Sequence, residues 1–211
     1  MSAEPPAAQR ARGDLMLSAR RRGAASVIDG LSMAGSSKFL FPYRHGADRL
    51  DAVWLNTAGG ITGGDRFSLD VTCREAASLR LSSQAAERVY KARPGPVGRV
   101  AATVTLEPGA EALWLPQETI LFDGAALERS LQVEMARDAR FLGVETLVFG
   151  RAAMGERVRS LRLSDRIDIR REGRLVWADR LRLDGDAEAA LANAFVGGGA
   201  GAVATLVCAR P

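Results

Sequence analysis

Polar and apolar residues alternate with period two along much of this chain, the pattern of strands that bury one face. The segments 67–73, 77–83 and 100–106 each follow it. Pro94-Gly95-Pro96 and Glu107-Pro108-Gly109 punctuate the intervals, since proline presets φ and glycine accepts the positive φ of a tight reversal. From Arg157 onward, arginine or aspartate alternates with leucine, isoleucine or valine for more than twenty residues. That run is too long for one strand, and Glu172-Gly173 divides it into a hairpin between Asp168–Arg170 and Leu175–Trp177. Asp184 to Phe195 is alanine-rich with acids near its amino end, which predicts a helix there. The expected architecture is mainly β: packed β-sheets in a single scaffold domain, with one or two short helices.

Residues 1–14 are rich in Pro, Ala and Arg and are expected to be flexible, with folding starting near Leu15. At 211 residues and 47% apolar composition, the chain is long enough for one sizeable core or two small ones. The formal charge is +4, and only Lys38 and Lys91 are lysines, so nearly all the positive charge is guanidinium suited to fixed ion pairs and acidic partners. Those arginines are scattered among acids and aromatics are few, which argues against nucleic acid. Cys73 and Cys208 read as reduced, packed thiols of a cytoplasmic protein. No apolar run is long enough to span a bilayer, and the stretch after Arg20-Arg21-Arg22 is too polar for an export signal.

Catalytic constellations are sparse. His45 is the only histidine and reads as a loop residue, and no CxxC, HExxH or EF-hand spacing occurs. The glycine-rich stretch Asn56–Asp65 lacks the Gly-Lys-Ser/Thr ending of a phosphate loop and runs into a strand rather than a helix. The second cluster, Gly197 to Ala202, also precedes a β-like segment, where a dinucleotide fold needs a helix.

Four segments are more particular than generic β sequence: NTAGGITGGD at 56–65, QAAERVYK at 84–91, WLPQETILFDG at 114–124 and FGRAAMGE at 149–156. Their order and spacing resemble the urease accessory protein UreD (UreH) family, closely over 50–183 and loosely before that. The resemblance implies a β-rich scaffold without catalytic activity of its own. It would bind urease apoprotein and the accessory proteins UreF and UreG, with no tightly bound cofactor. Nickel would be passed transiently to the urease active site, and GTP would belong to UreG. Family members normally continue beyond the strand expected at 203–208, so the family domain, 15–211 here, reads as C-terminally incomplete.

Three carboxylates match family motifs within stretches otherwise suited to burial: Asp65, Glu145 and Asp179. Each must pair with an arginine such as Arg66, Arg151 or Arg180, or face a hydrated path where weak oxygen ligands hold a divalent ion loosely. Gly59, Gly60, Gly63 and Gly64 shape the first motif, and Asp65 is suited to closing a turn there. Gln84, Glu87, Arg88 and Tyr90 suit either an interface or an internal polar network. Gln117, Glu118 and Asp123 are placed at strand ends or loops, while Gly150, Met154, Gly155 and Glu156 form a sharp bend that is structural first and partner-binding second. Two other readings stay open: a hydrolase using Asp65 and Glu118 as paired carboxylates, and an arginine-rich interaction module unrelated to urease.

Overall fold

The computed structural model describes residues 9–42 and 48–211; His45 lies outside the described residues. One sheet has seven strands: β1 (Arg12–Arg22), β2 (Ala25–Gly35), β5 (Arg66–Cys73), β8 (Gly98–Leu106), β11 (Ala126–Met135), β13 (Leu161–Arg171) and β14 (Arg174–Gly185). The other has eight: β3 (Ser37–Leu40), β4 (Leu50–Asn56), β6 (Ser78–Ser83), β7 (Glu87–Val89), β9 (Glu111–Leu115), β10 (Thr119–Leu121), β12 (Arg140–Phe149) and β15 (Ala202–Ala209). The expected packed β-sheets are present, and the period-two segments at 67–73, 77–83 and 100–106 fall on β5, β6 and β8.

Their pairing is less ordinary than their presence. In the seven-stranded sheet, β1, β5, β8, β11 and β13 are successive parallel neighbours; in the eight-stranded sheet β4, β6, β9 and β12 are as well. Parallel neighbours need a crossover, usually a helix. Here the crossover is a strand of the opposite sheet, because the chain passes between the sheets as it goes from β4 to β5 to β6 and again from β11 to β12 to β13. Antiparallel hairpins join β1 to β2, β3 to β4 and β13 to β14. The last turns at Glu172 and Gly173 as expected, with φ of 50° and 75°.

Three expectations are corrected. β1 opens at Arg12, so the stretch expected to be flexible already contains strand, held by its pairing with β5. The helix, α1 (Ala187–Ala192), is far shorter than 184–195: Asp184 and Gly185 finish β14, the Asp186 carboxylate caps the helix by accepting from Ala189 N–H, and Asn193 leaves it in an extended conformation. Only Ala187 and Leu191 are buried on it, too small an apolar face to sustain more turns. Cys73 is packed in the core and its thiol is pushed up to about 12 by burial and by Glu107, but Cys208 stands exposed on β15. Among the described residues, no helix is long and apolar enough to cross a membrane.

The inner faces form two separate apolar clusters. Leu15, Leu69, Trp114, Leu131, Phe141 and Ile167 belong to one, and Ile61, Val89, Leu127, Leu147 and Leu163 to the other. Along β11, β12 and β13 the boundary between them falls at Arg129, Glu145 and Asp165, respectively.

Candidate functional site

The four particular segments come to one end of the sandwich and are stitched side by side. Ile61 N–H donates to Arg88 C=O and Tyr90 N–H to Ile61 C=O, which ties the glycine loop to β7. β7 pairs in parallel with β10, and β10 with β12. Gly150 N–H then donates to Leu121 C=O, completing the strip with the FGRAAMGE bend. Asn56 Nδ2 donates to the Glu87 carboxylate at 3.3 Å and to Gly60 C=O at 3.1 Å, and Tyr90 Oη reaches Gly59 C=O at 3.2 Å.

Glycine is required here at Gly60, whose φ is +146° and where an added Cβ would lie 2.4 Å from Tyr90 Cε2. A Cβ on Gly63 would lie 2.6 Å from Pro96 C=O, Gly64 lies beneath the Arg10 side chain, and Gly59 faces open space. Asp65 is buried and closes the turn: Oδ1 accepts from Ala11 N–H at 2.9 Å and Oδ2 from Thr62 N–H at 2.8 Å.

At the far side of the strip, Asp123 Oδ1 accepts from Arg159 and Ser160 N–H, and Glu156 bridges Asp123 N–H to Arg151. The Arg151 hydrogen bond and charge hold the Glu156 carboxyl below its ordinary range. The Arg151 guanidinium also lies 4.2 Å over the Phe122 ring, which meets Tyr90 edge-on. Gly150 and Gly155 take left-handed φ of 74° and 66°, and Met154 between them is exposed. Gln84, Arg88 and Gln117 are exposed as well, while Glu118 contributes its carbonyl to Glu87 N–H.

Behind the strip, between the sheets, lies a cavity of about 350 Å³ walled by Trp54, Phe67, Val100, Trp114 and Leu127, with Glu87, Arg88, Thr119, Arg129, Glu145 and Asp165 among its polar groups. The two tryptophan rings stand 4.8 Å apart. Arg129 organises the polar groups. Its Nε and Nη2 bind Asp165, the neighbour across β13, at 2.9 and 2.6 Å. Its Nη1 crosses to the other sheet and meets Glu145 Oε2 at 2.6 Å and Thr119 Oγ1 at 3.1 Å. Trp114 Nε1 donates to Glu145 Oε1 at 2.5 Å.

One guanidinium thus serves two carboxylates. Burial pushes the Glu145 carboxyl up from its ordinary value despite the opposing pull of Arg129 and Trp114, and Asp165 adds to the rise. Burial acts to lower the Arg129 pKa, but the two carboxylates outweigh it and hold the guanidinium above its ordinary value. Burial likewise raises Glu87, against its hydrogen bonds from Asn56 and Arg88. The arrangement leaves the cavity with carboxylate in excess, a setting that favours a cation or a proton over an anion.

The three carboxylates singled out in the sequence are not brought together. Glu145 faces the cavity; Asp65 spends its oxygens on backbone amides; Asp179 sits on β14, accepting from Thr205 Oγ1 and from Arg180 N–H. Arg129, not Arg66, Arg151 or Arg180, is the arginine paired with Glu145. Asp65 and Glu118 are both absent from the cavity wall, so the carboxylate pairing a hydrolase needs is not formed there. No group of three or more His, Cys, Asp or Glu is placed to hold a metal among the described residues. Arg129 and Asp165 were missed by sequence reading, yet both left a signal: each occupies a core position in its strand's alternation, Arg129 between Leu127 and Leu131, Asp165 between Leu163 and Ile167.

Comparison with known proteins places this geometry in a family. The family described as UreD urease accessory protein matches residues 11–211. A urease accessory protein UreD of a Ruegeria species is 48% identical over 213 residues, covering 99% of this chain and 70% of the relative. That of Ruegeria pomeroyi is 49% identical over 185 residues, covering 88% and 72%, and that of Roseobacter denitrificans 43% over 206 residues, covering 98% and 75%. The chain belongs to the UreD family of urease accessory proteins, which gives it a role in urease maturation.

Proposed function

We propose that the chain is a noncatalytic scaffold that binds urease apoprotein together with UreF and UreG, and that nickel, as cargo, passes along its interior cavity while UreG hydrolyses GTP. The observation that carries this reading is the family match across 11–211. The cavity supports it, since Glu145 and Asp165 outnumber their single guanidinium and present oxygen donors too few to trap a divalent ion. Of the three acids expected on a metal path, Glu145 is the one that faces the cavity, whereas Asp65 and Asp179 hydrogen-bond framework groups elsewhere.

Co-expression with urease apoprotein, UreF and UreG, followed by pull-down and nickel analysis of the urease, tests both parts. Glu145→Gln keeps the hydrogen-bonding shape but removes the charge, so the complex should still assemble while nickel loading falls several-fold. Failure of the unaltered chain to join any complex would overturn the scaffold reading. Normal nickel loading by the variant would overturn the route alone.

A further inference from the structure

The outer face of the seven-stranded sheet carries a row of arginines in direct register. Arg12 on β1 pairs with Arg66 on β5, and Arg66 with Arg99 on β8. All three are exposed and flanked by buried or half-buried neighbours, so they project from one face. Adjacent strands are about 4.8 Å apart, which makes the row about 10 Å across. Arg10 joins it: its side chain crosses Gly64, where an added Cβ would lie 3.0 Å from Arg10 Nε. These four arginines, with Gly64, Pro96 and Val97, line a shallow depression of about 280 Å³.

Like charges directly opposite one another destabilise a sheet. Several arginines elsewhere in this molecule are compensated, as in Arg80 with Asp51 and Arg151 with Glu156. In the row, Arg99 alone finds a carboxylate, Glu128 at 2.8 Å. Among the described residues Arg10, Arg12 and Arg66 take part in no ion pair. Four guanidinium groups against one carboxylate leave three charges uncovered among the described residues.

Asp65 locks this arrangement in place. Its carboxylate holds Ala11 N–H, its carbonyl accepts from Arg99 N–H, and Arg66 N–H donates to Ala11 C=O. The strand starts that set the arginine register therefore converge on one residue. A repulsive row held rigidly, with one carboxylate for four guanidinium groups among the described residues, is suited to an anion supplied from outside.

We infer that this row is a docking surface for an acidic segment of a partner protein, whose Asp and Glu carboxylates supply the missing counter-charges. Planar guanidinium forks match carboxylates bidentately. The depression has no aromatic ring on which a base would stack, and the row is only three strands wide, which disfavours a nucleic-acid strand. The scattered arginines of the sequence are thus gathered in part by strand register, on a face separate from the cavity and independent of the nickel route.

The test measures binding of a short labelled Glu-rich peptide to the full chain by fluorescence anisotropy, with the matching Gln-rich peptide and a single-stranded oligonucleotide alongside. The acidic peptide should bind, and binding should weaken with added salt. The double variant Arg12→Gln, Arg66→Gln should lose about tenfold or more in affinity, whereas Arg140→Gln on the other sheet should change nothing. The double variant should melt at or above the parent's temperature, because adjacent like charges have been removed. No peptide binding by the parent, unchanged binding by the double variant, tighter binding of the oligonucleotide, or a lowered melting temperature in the double variant would each overturn the inference.

Discussion

Arg129 and Glu145 meet at 2.6 Å although they belong to opposite sheets, and their contact lies on the boundary between the two apolar cores. The pair is a buried polar tie between layers whose inner faces are mainly apolar. Burial makes it sensitive to the loss of either partner, since each charge is desolvated and depends on the other.

Arg129→Met should therefore destabilise the protein by about 3–5 kcal/mol, lowering Tm by roughly 10 °C, because Glu145 and Asp165 are left buried without a counter-charge. Adding Glu145→Gln and Asp165→Asn to that variant should recover much of the loss. Thermal and urea unfolding of the two variants checks both statements.

The glycine loop offers a paired comparison. Gly59 has φ of +80° with open space around it, so Gly59→Ala should cost only about 1–2 kcal/mol for the left-handed backbone. Gly60→Ala adds a collision with Tyr90 and with Arg88 C=O at 2.7 Å, and should cost about twice as much or more. Unfolding curves for both variants decide it.

Asp65→Ala should cost about 2–3 kcal/mol, as two backbone amides lose a charged acceptor. Hydrogen exchange at Ala11 should accelerate in step. Undiminished stability and exchange, with urease activation lost, would instead mark Asp65 as a ligand for the cargo.

The raised carboxyl of Glu87 gives a pH dependence with a definite sign. Its folded pKa lies above the ordinary 4.5, so the folded state binds its proton more tightly. The stability it contributes is present below about pH 4.5 and is lost as pH rises through the folded value. Glu87→Gln should remove that decline, so the variant should gain on the parent between pH 4.5 and neutrality. Denaturant midpoints across that range measure it.

The strands were legible because burial of one face writes itself as alternation, and the Glu172-Gly173 hairpin because its turn needs positive φ at both positions. Strand pairing was not legible. Segments 67–73 and 77–83 are consecutive in sequence yet occupy different sheets, and alternation is blind to the partner chosen. The glycine motif was conspicuous for its composition, but its closing carboxylate holds the framework. The arginine that organises the cavity looked like one charge among many, and only its phase within the strand set it apart. The cationic row was hidden for the same reason: its members are 54 and 33 residues apart, by subtraction of their numbers, and only strand register makes them neighbours.

The passage of the chain from sheet to sheet also governs how the molecule is made. Beyond the three hairpins, interior strands pair with partners reached only after the opposite layer has been laid down. Such a topology has high contact order, which slows folding and prolongs the exposure of unpaired edges to other chains. Yield on expression should thus depend on how soon a partner reaches the nascent sheets.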